Sequence, residues 1–465
     1  MPKDLKKQKK SKEVEIPPPP DKPQQCHFFV LRKRRYCSLP AKKEAKFCGE
    51  HLTSLPENQT SAKGKRIPCP YDTSHTIFEK DLEMHMKNRC NSRPRTPPPC
   101  FSLNVNCTLA LSAEELEFQK NIFSHQKLFS HPWIARDQLK DLSKDELDQL
   151  IGKVAISHKS TVPEIPVEIL THPSAEKKRP FITVSKQLDQ LSSLLGHMEK
   201  ENMLQDKGAC FVEFGAGRGD LSIALKRAID DDEGQSTYLL LDRKNVRNKV
   251  DLSLQGFTEK PPLVQRVVID IKDLDLSKVE CILREDKSRK KVVVLSKHLC
   301  GSATDITLKC LTNYVQAEKA LGNSNPVSGI VIALCCHQLC RYEMYPNTEY
   351  LESLQVSKVE FDRICKISSW ALCSVKSQNE KKEQNSEENE DHADNVEEDS
   401  DQTNQHFSGR DYHEREEIGY QCKRLLDVGR LQFLEKNGFK ARLVYYVNPE
   451  TSLENCALIA VASDH

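Results

Sequence analysis

Residues 210–225, CFVEFGAGRGDLSIAL, read as a buried strand, a glycine turn and the opening of a helix. Four of the first five residues are apolar, too continuous for a strand with one wet face, so the segment belongs inside a sheet covered on both sides. Gly215, Gly217 and Gly219 then alternate with Ala216 and Arg218 before helical spacing begins near Asp220. Glycines at a strand-to-helix turn let backbone approach a ligand closely, and the N-terminus of the helix helps to hold it. A tight turn with acids acting only as caps is the plainer alternative.

The details of the turn narrow the ligand. Its pattern is G-x-G-x-G with Glu213 two residues upstream, whereas dinucleotide folds use G-x-G-x-x-G to cradle a pyrophosphate. No Walker lysine and hydroxyl follow. S-adenosylmethionine has no phosphate and carries a cationic amino group, so an acid beside the turn suits it better than it suits a nicotinamide dinucleotide. Working outward, the runs YLLLD (238–242), RVVID (266–270), KVVVLS (291–296) and GIVIAL (329–334) alternate with helix-length segments, the mark of βαβ units and a mostly parallel sheet. Asp242 ends the second strand, at the offset from the glycine turn where an acid accepts hydrogen bonds from ribose hydroxyls. Asp270, ending the third, is placed for the adenine edge or the strand-crossing loop. A helix over 411–437 and two hairpin strands, FKARLVYYV and ENCALIAVA, complete a domain expected over 175–465.

Toward the N-terminus the character changes. Cys69, His75, His85 and Cys90 place four metal-competent side chains in one short segment, with Glu79–Lys87 helical and presenting His85. The segment has only Ile67, Ile77, Phe78 and Leu82 as a core, so satisfied histidines beside buried thiols would not fold it, and tetrahedral zinc would. Cys26, Cys37, Cys48 and His51 form a second quartet among Arg32–Arg35, Lys42, Lys43 and Lys46. His27 competes with Cys26 on paper, but Cys26 completes the more regular spacing. The expected order is a disordered basic arm (1–25), a CCCH zinc module (26–55), a CHHC zinc finger (66–93) and a helical connector (110–160), where apolar residues recur at helical spacing.

Charge follows the same division. The whole chain of 465 residues has a net charge of +1, but its first hundred residues carry 22 Lys+Arg against 11 Asp+Glu, a balance of +11. The remainder therefore sums to −10. Residues 376–406, with 11 acids and 3 lysines, hold most of that deficit and read as a disordered acidic insertion within one domain. A basic, zinc-pinned end favours a polyanion partner, because phosphate contacts release counterions. No apolar run is long enough to span a membrane and MPKDLKKQKKSK is no signal peptide, so a soluble intracellular protein without membrane contact is expected. The 18 cysteines are then metal ligands, catalytic thiols or small buried hydrophobes rather than disulfides. The lysine-rich arm fits nucleus and cytoplasm alike, and oligomeric state is not encoded legibly.

Taken in order, the CxxH-bearing basic finger, the Cys-His-His-Cys finger, VEFGAGRGDLS, SKHLCGSATD and ALCCHQLC resemble the eukaryotic tRNA ribose methyltransferases that modify the fourth nucleotide of the acceptor stem. The likeness covers Cys26 to the C-terminus, the acidic tract excepted. The second finger is also similar to those of certain spliceosomal proteins. The resemblance implies a Rossmann-like, seven-stranded class I methyltransferase domain using S-adenosylmethionine and Zn2+, with tRNA as partner and 2′-O-methylation as reaction.

Methyl transfer to a ribose hydroxyl needs orientation and a base. Ligands of such folds lie beyond the carboxyl ends of the strands, which makes Lys297 and His298 the candidate bases or orienting groups. A partly buried lysine can have its pKa depressed into range, and a histidine needs no shift. Cys300, Cys335 and Cys336 approach the same place from adjacent strands. Thiolate attack on a pyrimidine ring, a metal held with His298 or His337, and plain buried thiols all remain open for them. A non-catalytic zinc-finger RNA-binding adaptor is the alternative from another class. On the last long helix, Lys423 and Arg424 are candidate phosphate contacts, against a solvated helix face.

Overall fold

In the computed structural model the described residues are 18–19, 24–30, 35–41, 46–48, 51, 66–90, 93, 96–113, 138–181, 185–372 and 406–463, apart from 230, 232, 244–245, 247–249, 257–258 and 285; the side chains of 72–74 and 181 are also excepted. They fall into two compact units, one within residues 1–94 and one from 95 onward. The expected basic arm (save residues 18–19 and 24–25), the connector segment 114–137 and the acidic insertion 376–406 (save His406) lie outside the described residues.

The first unit holds two small hairpins. Strands β1 (Phe29–Val30) and β2 (Arg35–Tyr36) pair antiparallel, as do β3 (Arg66–Cys69) and β4 (Asp72–Phe78). A short helical run follows β4, passing from a 3-10 turn at Glu79–Asp81 through Leu82–Met84 into a π-turn at His85–Arg89.

The second unit is a mixed α/β structure built on seven strands: β5 (Cys210–Phe214), β6 (Thr237–Asp242), β7 (Leu263–Val268), β8 (Val292–Ser296), β9 (Val327–Ala333), β10 (Phe439–Tyr445) and β11 (Cys456–Ala462). Their order is β10-β11-β9-β8-β5-β6-β7. Strands β5 to β9 run parallel to one another, and β11 runs against both β9 and β10. RVVID therefore divides differently from its sequence reading: β7 stops at Val268, two residues before Asp270.

The unbroken apolar runs have the reason expected of parallel strands, since both faces are covered. Val212, Phe214, Leu239, Leu241, Val292 and Val294 join one core, while Phe211, Tyr238, Leu240, Val293 and Leu295 join the other. Onto the first face pack α1 (Lys144–Thr161), through Leu147, Leu150, Ile151 and Val154, and two further helices, α4 (Ser302–Ala320) and α6 (Tyr412–Lys436). The second is covered by α2 (Lys186–Lys200) and α3 (Asp220–Ala228). The segment read as a connector thus contributes a helix to the core of the sheet unit. That helix starts at a capping box, Ser143 with Glu146, which satisfies first-turn amides reciprocally. The same device, Asp411 with Glu414, starts α6. The extended stretch before α2 runs beside the sheet edge, where Val167 bridges Tyr445 in parallel.

Either side of the acidic segment the chain closes on itself. Trp370 meets the His406 ring edge-on at 5.3 Å, and α6 returns against α5 (Lys358–Ser368). No helix among the described residues is long and apolar enough to cross a membrane.

Candidate functional site

The chain leaves β5, builds outward through β6 and β7, then crosses back to place β8 on the other flank of β5. Such a reversal opens a crevice at the carboxyl ends of the two central strands. The glycine turn occupies that position. Gly215, Gly217 and Gly219 have φ of +65°, +49° and +99°, a region that L side chains rarely enter. Beyond conformation, the positions differ. A Cβ at Gly215 would lie 2.8 Å from the His298 carbonyl oxygen and one at Gly219 2.7 Å from Leu240, whereas Gly217 faces open space. Gly217 is thus the glycine of the turn with open space beside its α-carbon.

Asp242 ends β6 and accepts from the Gly217 amide through Oδ2 at 2.8 Å. Glu213 sits beneath the turn, 4% exposed, and its Oε2 accepts from the Ser222 amide at 2.9 Å and from the Ser222 hydroxyl. Burial pushes its carboxyl up to about 7, against those hydrogen bonds. These bonds run to the first turn of α3 rather than into the crevice. Asp270, half-buried, caps the 3-10 turn Ile271–Asp273 by accepting from the Lys272 amide at 3.1 Å.

Across the crevice, the buried Ser296 hydroxyl donates to the Phe214 carbonyl at 2.7 Å, tying the end of β8 to that of β5. Lys297 is half-buried and His298 exposed just beyond this tether. Cys300 follows, and its Sγ lies 3.7 Å from Cys335 Sγ at the end of β9. With Cys336 the three sulfurs lie within 4.8 Å of one another. Hydrogen bonding with Cys335, then Cys336, draws the Cys300 thiol down to about 4, while Cys335 is pushed well above its ordinary value.

His337 turns away from this trio. The residue is fully buried, and its Nε2 lies 2.7 Å from Asp427 Oδ1 on α6. Lys423 and Arg424 correct their sequence reading in both forms: they are 0% and 4% exposed, bonded to Glu454 (2.6 Å) and Asp427 (3.1 Å). Neither is a phosphate contact or a solvated face. Arg430 beside them spans Asp305 at 2.8 Å and Asp427 at 3.0 Å and donates to the Gly301 carbonyl at 3.4 Å. The charge pattern of α6, which read as surface, is an internal ion network.

The N-terminal quartets each converge on a point. Cys69 Sγ is 3.6 Å from Cys90 Sγ and 3.3 Å from His85 Nε2, which is 3.1 Å from His75 Nε2. A tetrahedral zinc with bonds of roughly 2.0–2.3 Å has ligand-to-ligand edges of roughly 3.3–3.8 Å, so this donor set fits Zn2+. In the other quartet His51 Nδ1 is 3.5 Å from Cys26 Sγ and 3.3 Å from Cys48 Sγ, and Cys37 completes the group. The cluster contains Cys26 and not His27, as the spacing indicated. Phe28 stacks on the His51 ring at 3.9 Å and fixes its plane.

Comparison with known proteins decides the class. The family model described as methyltransferase TRM13 matches residues 189–461, more than half of the chain. The chain belongs to the TRM13 methyltransferase family. A CCCH zinc finger in TRM13 protein matches residues 24–52, and a U11-48K-like CHHC zinc finger matches 66–90. Curated relatives include the tRNA:m(4)X modification enzyme TRM13 homologs of Mus musculus and Homo sapiens, 34% and 32% identical, with 94% of each chain covered. The Schizosaccharomyces pombe enzyme is 34% identical over 86% of this chain and 96% of its own.

One residue that shapes the glycine loop lies outside it, on another strand of the sheet. Arg266 on β7 donates from Nη1 to the Gly217 carbonyl at 2.7 Å and from Nη2 to the Arg218 carbonyl at 3.0 Å. Asp251 pairs with its Nε and Nη2 at 2.8–3.1 Å. A charged residue next to Gln265 within a strand was its only sequence signal.

Proposed function

We propose that this family member transfers a methyl group from S-adenosylmethionine to the ribose 2′-hydroxyl of tRNA nucleotide 4, on a Rossmann-like class I methyltransferase domain. The observation that carries the reading is the meeting of the glycine turn and the β8 end at the strand-order reversal, tethered by Ser296 to the Phe214 carbonyl. The name shared by the relatives, tRNA:m(4)X modification enzyme, supports tRNA and position 4.

The site suits the cofactor: the space beside Gly217 admits a ligand, Asp242 stands at the turn for ribose hydroxyls, Asp270 lies beyond β7 for the adenine edge, and no phosphate-binding lysine follows the glycines. When bound, S-adenosylmethionine supplies an electrophilic methyl on a sulfonium. The protein's part is to align the 2′-oxygen with that methyl and take its proton. Lys297 and His298, immediately past the Ser296 tether, are the proposed base and orienting group. Zn2+ held by the Cys26, Cys37, Cys48, His51 set and the Cys69, His75, His85, Cys90 set would fold modules too small for cores of their own, and their basic surroundings would take the tRNA backbone.

Calorimetric titration with S-adenosylmethionine, paired with labelled methyl transfer to unmodified tRNA, tests this. Lys297→Met and His298→Ala should keep cofactor affinity within about threefold while transfer falls by roughly 10²–10⁴ in at least one of them. Transfer at the full rate in both variants would remove these two residues from the mechanism. An absence of cofactor binding by the intact chain would instead favour an RNA-binding adaptor.

A further inference from the structure

Among the described residues three groups of thiols and imidazoles are tight enough to share one cation: the two finger quartets, and Cys300 with Cys335 and Cys336. The third plays no part in the methyl transfer proposed above. We propose that Cys300, Cys335 and Cys336 form a further metal site, binding a thiophilic divalent cation such as Zn2+ through three thiolates, with a fourth position open toward the crevice.

Sulfur geometry is the first support. The 3.7 Å between the Cys300 and Cys335 sulfurs and the 3.6 Å between Cys69 and Cys90 in the second finger both match the roughly 3.8 Å edge of a zinc-thiolate tetrahedron. Such a separation is far beyond the roughly 2.05 Å of a disulfide. Three protein ligands, rather than four, are the pattern of sites that keep a position for water or another donor.

The backbone that assembles the trio is the second. Cys336 adopts a left-handed conformation, φ +52° and ψ +45°, though it is not glycine. Gly301 has φ +53° and ψ −117°, a Cβ there would lie 2.6 Å from Leu339, and its amide donates to the Cys335 carbonyl at 3.2 Å. Unfavourable backbone of this kind persists where the surroundings enforce it, commonly at functional sites.

Those surroundings form a supporting layer, as metal sites require. Glu454 Oε1 accepts from the Cys336 amide at 3.0 Å while its Oε2 is held by Lys423, and Arg430 reaches the Gly301 carbonyl at 3.4 Å. Three thiols elsewhere in the sheet unit contrast with this. Cys310, Cys422 and Cys456 are buried in the core as small apolar groups, whereas Cys300 and Cys336 are only half-buried, which leaves a cation a way in.

Metal content by mass spectrometry of the full-length protein, purified under reducing conditions without chelator, tests the site. Cys300→Ser, Cys335→Ser and the half-exposed Cys336→Ser should each lose one equivalent of zinc relative to wild type, and a Cys69→Ser/Cys90→Ser variant should lose a separate one. Should a variant fold poorly, maleimide labelling of the wild type gives the same information. Cys300 should be protected until a chelator is added, and a Co2+-exchanged sample should show thiolate-to-cobalt absorption that Cys300→Ser reduces. Metal content unchanged in all three serine variants, or recovery of a Cys300–Cys335 disulfide from protein kept reduced, overturns the proposal.

Discussion

Arg266 holds the Gly217 carbonyl at 2.7 Å, so a side chain from the third strand of the sheet unit fixes the turn that ends the first. It gives the glycine loop a defined shape before any ligand arrives. Preorganisation of this sort lowers the ordering cost of binding.

Arg266→Ala removes two charge-assisted bonds to the loop and leaves Asp251 without its arginine. Each such bond is worth about 1.5–3 kcal/mol. The account expects a rise of at least tenfold in the S-adenosylmethionine dissociation constant by calorimetry, with Arg266→Lys recovering little because it lacks the fork. Affinity unchanged in the alanine variant would deny the clamp a role in binding.

Glu213 makes stability depend on pH. Its carboxyl rises from an ordinary 4.5 to about 7 on folding, chiefly by burial, so the folded protein holds this proton more tightly than the unfolded chain. The contribution is fully present below pH 4.5 and is lost as pH rises through 7. Melting curves of wild type and Glu213→Gln should therefore diverge between about pH 5 and 8, the variant gaining relative stability as pH increases. Curves that stay parallel would mean that Glu213 ionises normally.

Arg430→Met should be among the most damaging substitutions away from the crevice. It leaves Asp305 buried without its arginine and takes one of three partners from Asp427, which keeps His337 and Arg424, a loss of about 3–5 kcal/mol. A fall in melting temperature of about 5–8 °C is expected for a unit of this size. Lys423→Met, by the same reasoning, should impair folding rather than lower tRNA affinity in whatever protein remains folded, which filter binding of the soluble fraction would show.

Stripping the finger metals should act locally. With Cys69→Ser/Cys90→Ser, limited proteolysis should open the chain within 66–90 while the melting transition of the sheet unit stays in place, because the quartet supplies what that segment lacks in apolar core. A shifted main transition would show that the finger supports the sheet.

The sheet was legible because parallel strands buried on both faces leave unbroken apolar runs, and the glycine turn marks its own place after β5. Both Cys/His quartets, which converge in the structure, could be picked out from their spacing alone. The β3–β4 hairpin could not, since Arg66–Phe78 alternates polar and apolar residues too briefly. Asp270 was misplaced on the strand by two residues because RVVID continues apolar into the cap of the next turn. The helix α6 misled most. Lys423, Arg424 and Arg430 look like surface, and only their partners Glu454, Asp427 and Asp305, distant in sequence for two of the three, show why they are inside.

The central claim is tested most directly by the product. Unmodified tRNA incubated with the protein and methyl-labelled S-adenosylmethionine, then digested and mapped, should carry the label as a 2′-O-methyl nucleotide at position 4. Label on a base, or on a ribose elsewhere in the molecule, would contradict it.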